Sequence, residues 1–401
     1  MRRYRIGVIG LGARAETFAR TLFTGTPRAE LFGLCDLDED RIGKFVEFCG
    51  LAGARTFNDP TAFFACEEMD AVIVTTPDFT HLDVARQAFA AGKHVYLEKP
   101  LDVTAERCRE IMRLQQSSGK VAYVGFNLRA SPTRIKMKEL MEQQVLGQIL
   151  HIEGLEQLSV AHSASFMRRF HRRTSRSGGL LNTKCSHDLD ILQWLIGYEH
   201  KVTKIASFGG NNVFLPKKQP ATHCHLCPTD IYRACPYKDQ AGFVFPVHAK
   251  QPIHHRQTEV YGGDLCVYND DKDILDNQTL ILEWDHGVRG NFNLQLFQHQ
   301  GTREMKIWGE RGLLTNGIDA GVKVVNTATG DATVYNFAPR SGGHGGTDPQ
   351  MLGRFLDSIE CGDAGDSGLS AGLAATLLAE KSLESLRTGQ VITIAPSEYG
   401  P

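Results

Sequence analysis

The chain has 401 residues, of which 42% are hydrophobic and 22% charged, with a formal net charge of -2. That length exceeds what one hydrophobic core usually serves, so two domains are expected, and the balanced charge offers no basic face to a nucleic acid. No apolar run approaches the roughly 20 residues needed to cross a bilayer, and ten cysteines in so long a chain do not make a disulfide scaffold. A soluble, cytoplasmic protein without a membrane partner is expected.

Met1 to Gly12 carries basic residues before a short apolar stretch, superficially like a secretory signal. The stretch is interrupted and runs directly into glycines, so it reads as a first strand. From Tyr4 to Val124, apolar runs alternate with segments of helical period, the pattern of βαβ units and a parallel sheet. Strands are predicted at Arg5 to Ile9, Leu31 to Cys35, Ala71 to Thr75, His94 to Leu97 and Val121 to Val124. Asp38 to Cys49 and Asp83 to Ala91 read as helices, each closed by a glycine.

Beyond Gly125 the texture changes to alternating runs at Leu150 to Leu158, Val202 to Phe208, Thr279 to Trp284 and Val288 to Leu296. Few helices separate them, so a large open mixed or antiparallel sheet is expected. The fold class is thus α/β: a dinucleotide-binding Rossmann domain over residues 1–125, then a C-terminal α/β domain over residues 126–401. Its final helix and tail could pack back on the first domain. Residues 211–276 are polar, rich in proline and without period, an insertion that needs something to hold it.

Gly10-Leu11-Gly12-Ala13-Arg14-Ala15 follows the first strand and opens a helical segment, matching G-x-G-x-x-A. Gly10 permits the tight turn, Gly12 lets the backbone approach a pyrophosphate, and Ala15 keeps the helix close to the sheet. Asp36 ends the second strand, where a carboxylate accepts hydrogen bonds from the adenosine ribose and repels a 2'-phosphate. NAD is therefore favoured over NADP. Glu98-Lys99-Pro100 closes the strand His94 to Leu97 at the carboxyl edge of the sheet, where ligands bind in open α/β folds.

Gly10 to Ala15, Thr75-Thr76-Pro77, His81 and Glu98-Lys99-Pro100 together resemble the glucose-fructose oxidoreductase, inositol dehydrogenase and rhizopine catabolism (Gfo/Idh/MocA) family. The resemblance continues through Gly125-Phe126-Asn127-Leu128-Arg129, Gly178-Gly179 with His187 and Asp190, and Gly343-His344-Gly345-Gly346 with Asp348. It implies an oxidoreductase that moves hydride between a sugar or polyol hydroxyl and a nicotinamide. The cofactor would lie on Gly10, Gly12, Ala13, Arg14, Asp36, Thr75, Thr76, Pro77, His81, Glu98, Lys99 and Asn127. Lys99 would stand beside both nicotinamide and substrate, with its pKa lowered by desolvation or its charge polarising the reacting oxygen.

His187 lies on a helix predicted from Lys184 to Ile196, and the family pattern makes it a residue of the catalytic face, although capping or lining a domain interface is the plainer role. The family usually has an aspartate four places earlier, where this chain has Thr183, so the relay could run through Lys99, Lys184 and His187 instead. Arg129, His171, Arg172, Lys184 and His187 are the expected substrate residues. The basic run Arg168 to Arg173 reads equally as a contact with substrate or a neighbouring subunit's cofactor, and as a solvated loop. Two other functions remain open: glycoside cleavage by transient oxidation, and a non-catalytic sugar sensor. An exposed face of the large sheet would suit a homo-oligomer.

Cys224-x-x-Cys227, Cys235 and Cys266 fall within the aperiodic insertion. Such a set can hold a tetrahedral metal, with His223 or His225 able to replace one sulfur. Structural zinc is the first expectation, an iron-sulfur cluster the second, and separate buried thiols the third.

Overall fold

The computed structural model describes residues 2–238, 263–317, 321–338 and 347–401. Gly343 to Gly346 and the side chain of Asp348, named above, lie outside the described residues.

In the first domain, β1 (Tyr4–Ile9), buried except at Arg5, and the fully buried β4 (Ala71–Val74) lie at the centre of a sheet that helices cover on both sides, as their nearly continuous apolar sequences require. Between them come α1 (Ala15–Thr24), β2 (Ala29–Cys35), α2 (Glu39–Cys49), the two-residue β3 (Thr56–Phe57) and α3 (Pro60–Phe64). After them follow α4 (His81–Ala90), β5 (His94–Leu97), α5 (Ala105–Ser118) and β6 (Ala122–Val124). The order is β3-β2-β1-β4-β5-β6, parallel throughout. This arrangement places the carboxyl ends of β1, β4 and β5 side by side, with the order reversing between β1 and β4, where a ligand crevice forms. β3 was missed because two residues carry no period, and α4 begins at His81, two residues before the predicted Asp83.

The second domain contains α6 (Pro132–Glu142), β7 (Ile149–Ser159), α7 (Val160–Arg168), α8 (Thr174–Ser177), α9 (Leu180–Ile196), β8 (Val202–Gly210) and α10 (Thr229–Ala234). Strands β9 (Asn277–Trp284), β10 (Arg289–Gln298), β11 (Thr302–Gly309), β12 (Gly312–Asn316), β13 (Val322–Asn326) and β14 (Ala332–Tyr335) follow. The chain returns through α11 (Asp348–Cys361), α12 (Leu369–Thr388) and β15 (Ile392–Thr393). Among the described residues, nine strands form one mixed sheet, β14-β13-β12-β11-β7-β10-β9-β8-β15, in which only β7 and β10 pair in parallel.

Helix α9 explains how the halves meet. Every residue from Leu180 to Leu195 is buried, because the helix lies between the first domain and the inner face of the sheet. It begins four residues before the predicted Lys184, at the left-handed pair Gly178 (φ 69°) and Gly179 (φ 86°). A Cβ on Gly178 would stand 2.5 Å from the Val103 carbonyl oxygen, so only glycine lets the helix start this close to the first domain. Helix α11 inserts Met351, Leu352, Phe355, Leu356 and Ile359 into the core of the first domain, while α12 packs on α5, α9 and β8 and accepts the Ala105 N–H at Glu380 (2.8 Å). Sequentially remote segments thus complete the domain that the first 125 residues begin. Among the described residues, no helix is long and apolar enough to cross a membrane.

Candidate active site

The glycine turn after β1 is built for close approach. Gly10 has φ 89°, and a Cβ there would meet the Thr76 backbone nitrogen at 2.6 Å, whereas a Cβ on Gly12 would meet nothing within 4 Å. The first glycine is required by the neighbouring β4 loop, and the second leaves backbone open to a ligand. Asp36 accepts from the Leu11 N–H (2.8 Å) and the Asp38 N–H (3.1 Å), so its carboxylate braces the turn at the end of β2. Arg14 reaches from the turn to Glu98, with Nε at 3.0 Å and Nη2 at 2.6 Å from Oε1. Thr75 donates through Oγ1 to the Gly10 carbonyl (2.7 Å), and Thr80 Oγ1 stands 2.8 Å from Thr76 Oγ1. His81 is buried with Nδ1 2.9 Å from the Pro100 carbonyl and Nε2 3.1 Å from the Thr76 carbonyl, tying the β4 loop to the β5 loop. Asn127 is buried in the turn after β6. Hydrogen bonds thus tie Gly10, Arg14, Thr75, Thr76, His81 and Glu98 together at the carboxyl ends of β1, β4 and β5.

Lys99 projects from the end of β5 toward α9, where Nζ donates to the Thr183 carbonyl (2.9 Å). The Thr183 side chain donates in turn to Asp78 Oδ2 (2.6 Å). Burial pushes the Lys99 ammonium below the usual lysine value, Lys184 and Arg14 push the same way, and Asp78 and Glu98 oppose them. Burial raises the Asp78 carboxyl against the pull of His81, Thr183 and Lys99. The position where the family usually has an aspartate thus holds a threonine that passes a hydrogen bond to a carboxylate from a different element. Asp78 escaped the sequence reading, although it follows Thr75-Thr76-Pro77 directly; only the tertiary contact makes it part of the site.

His187 is buried on α9, its ring edge toward Phe126 with centroids 6.1 Å apart. Lys184, expected in the proton relay, has its ammonium 3.1 Å from Glu156 on β7. Glu156 also pairs with Arg303 (2.7 Å), which lies opposite it on β11 and reaches Asp188 of α9 (2.9 Å). Burial raises the Glu156 carboxyl although Lys184 and Arg303 hold it down. None of Glu156, Arg303 and Asp188 was predicted: a single polar residue at an inward position of a strand gives no periodic signal.

Arg134 on α6 is a further residue that the sequence did not reveal. Its Nη1 meets the Asn316 side chain and lies 3.0 Å from the Met137 sulfur, and burial pushes its guanidinium down to about 10. With Arg303 and Asn316 it lines a polar cleft of about 280 Å³.

The remaining expected substrate residues divide. His171 packs on Phe170 (3.8 Å between ring centroids), and burial together with Arg169 and Lys99 keeps its pKa well below the usual histidine value. Among the described residues its buried Nδ1 has no hydrogen-bond partner. Arg129, only 2% exposed, is instead paired with Asp190 (Nε to Oδ2, 2.8 Å) and Tyr198. Arg172 donates to Asp271 (2.6 Å) and to the carbonyls of Arg168 and Arg169. These two arginines anchor structure, a correction to their expected place against substrate. The basic run is no solvated loop either: Arg168 and Arg172 are each 1% exposed because neighbouring carbonyls and Asp271 receive their guanidinium groups.

The four insertion cysteines are free thiols that line one cavity of about 470 Å³. Among the described residues, the one set of three ligand atoms lying within 4.8 Å of one another is His200, Asp285 and His286 at the surface, so no three of these sulfurs are that close.

A parallel sheet with an open glycine turn and a half-buried lysine at its edge, beside an ionic cluster between α9 and a second sheet, defines a two-domain dinucleotide-binding protein. Residues 4–126 match the oxidoreductase family's NAD-binding Rossmann fold and residues 138–394 its C-terminal alpha/beta domain; the chain belongs to the Gfo/Idh/MocA family. It is 33% identical over 196 residues to inositol 2-dehydrogenase 2 of Saccharopolyspora erythraea, a match covering 48% of this chain and 54% of that relative. The match thus spans about half of the relative's own length. Among solved structures, myo-inositol 2-dehydrogenase from Lactobacillus plantarum shares 17% identity and a TM-score of 0.70 over 98% of this chain and 100% of that one. A levoglucosan dehydrogenase solved with NADH and levoglucosan shares 16% identity and a TM-score of 0.74 over the same fractions. At these identities the structures establish the fold.

Proposed function

We propose that the protein is an NAD-dependent oxidoreductase acting on the hydroxyl of a sugar, sugar derivative or cyclic polyol. The observation that carries this reading is Lys99: a half-buried lysine with a lowered pKa, at the carboxyl edge of the dinucleotide sheet and bonded to α9 through the Thr183 carbonyl. When bound, NAD supplies the hydride acceptor at its nicotinamide.

The chain's own residues support the cofactor. Gly10 and Gly12 open the backbone to the pyrophosphate, and Asp36 stands where it would accept from the adenosine ribose while repelling a 2'-phosphate. Lys99 in its neutral form accepts the substrate hydroxyl proton at Nζ, and Asp78, through Thr183, positions that ammonium and offsets part of its desolvation. His187 and the neutral His171 flank the substrate, offering imidazole nitrogens to a second hydroxyl. Lys184, Glu156, Arg303 and Asp188 form a polar wall whose fixed charges suit a hydroxyl-rich ligand. Arg134 beside this wall would accept a carboxylate, so acidic sugars belong among the candidates. Exposed Phe208 and Ile281 on neighbouring strands of the outer sheet face support a homo-oligomer.

The test is NADH absorbance when protein and NAD meet hexoses, uronates, glycosides and inositols. Turnover with one class, lost in Lys99→Met with NAD binding retained, is the expected result. Turnover that persists in Lys99→Met would overturn the assignment, and aglycone release without NADH accumulation would assign transient oxidation instead.

A further inference from the structure

The insertion between β8 and β9 contains chemistry that hydride transfer does not use. Three short segments bring its cysteines to one place. Cys224 and Cys227 flank a single turn, with the Cys227 N–H bonded to the Cys224 carbonyl (3.1 Å). Cys235 ends α10. Cys266 arrives on a strand-like segment whose N–H donates to the Thr222 carbonyl (2.9 Å), next to the bridge between His223 and Leu265. All four line the 470 Å³ cavity. Arg168, 1% exposed on α7, points into the same place: Nη2 lies 3.3 Å from the Cys224 sulfur and 2.9 Å from the Tyr237 carbonyl, and Nε donates to the Leu265 carbonyl (2.7 Å).

We infer that Cys224, Cys227, Cys235 and Cys266 form a four-thiolate centre for a thiophilic metal, which staples the insertion to α7. The proposed donors are the four sulfurs: His225 does not line the cavity and its Nδ1 lies 2.6 Å from Asp264, while His223 lines the cavity beside Cys224. Four thiolates around a divalent ion leave net negative charge, and the buried Arg168 guanidinium meets that charge from one side. No three of these sulfurs lie within 4.8 Å of one another. A single tetrahedral zinc, with Zn–S near 2.3 Å, requires S···S distances of roughly 3.8 Å. The sulfurs must therefore close onto a zinc ion, whereas an iron-sulfur cluster would occupy the cavity with its thiolates further apart. The centre lies close along the chain to the active-site face: Arg168 ends α7, which leads into Phe170 and His171.

Elemental analysis and acid-labile sulfide determination on the whole protein, purified without chelator and under argon, test this directly. About one zinc per chain in a colourless protein, or iron with matching sulfide and a visible chromophore, each supports the centre and names its occupant. The variant Cys227→Ser/Cys235→Ser should lose the metal and melt at lower temperature while still binding NAD, which separates this centre from the cofactor site. Wild-type protein that purifies without metal and takes up neither zinc nor iron and sulfide on reconstitution would overturn the inference, independently of whether the double variant folds and of any activity.

Discussion

Asp78→Asn tests the most specific part of the proposed mechanism. Lys99 is surrounded by Asp78 and Glu98, which hold its proton, and by Lys184 and Arg14, which oppose it, with the Thr183 carbonyl as direct acceptor. Removing the Asp78 charge removes the main attraction opposing desolvation, so the Lys99 pKa falls further and its neutral form appears at lower pH. An opposite charge at close range commands about 1–3 pKa units. Burial raises the carboxyl's own pKa, and its charge is shared with His81 and Thr183, so the low end applies: about one unit, or about 1.4 kcal/mol. The assay is kcat/KM for substrate oxidation against pH. The acid limb of Asp78→Asn should lie about one unit below that of the wild type, and Thr183→Val, which removes only the hydroxyl, should shift it by less in the same direction. NAD affinity should be unchanged in both. A lowered profile whose limb superimposes on the wild type would refute the reasoning and leave Asp78 a packing residue.

Asp36→Ala should weaken NAD binding by roughly 10–100-fold, the value of a charged hydrogen bond, and narrow the preference over NADP; calorimetric titration with both cofactors checks it. Arg129→Met leaves Asp190 buried at 0% exposure without its main counter-charge, so unfolding free energy should fall by about 3–5 kcal/mol; a loss below about 1 kcal/mol in denaturant titration would return Arg129 to the substrate. Arg134→Leu should raise KM for a uronate by an order of magnitude or more and leave a neutral inositol within about twofold, because only the carboxylate loses a charged partner. Equal losses on both substrates would remove Arg134 from recognition.

The first domain was readable because its signals are local. A strand followed by Gly10, Gly12 and Ala15, an acidic Asp36 after the second strand, and Glu98-Lys99 after a buried strand are all fixed by backbone geometry within a few residues, so order along the chain predicts position in the crevice. The alternation of buried and outward positions likewise made β8, β9 and β10 visible, since period two follows from the pleat. The mixed pairing of β7 with β10, the return of α11 into the first core and the burial of every residue from Leu180 to Leu195 depend on which surfaces meet, and no local pattern encodes that.

The same division runs through the site. Lys99 and Lys184 stood out in the sequence, but their partners came from remote elements: Asp78 after β4 reaches Lys99 through Thr183 of α9, and Glu156 on β7, itself paired with Arg303 on β11, meets Lys184. Conversely, Arg129 and Arg172 looked like ligands' partners because a cation in a motif carries no sign of what will pair with it, and folding gave them Asp190 and Asp271. Sequence by itself therefore determined the two-domain α/β plan, the dinucleotide turn and the lysine at the sheet edge, all properties of covalent neighbours. Tertiary structure decided which charges meet, because a buried ion must find its counter-ion in space, and that counter-ion can lie anywhere along the chain.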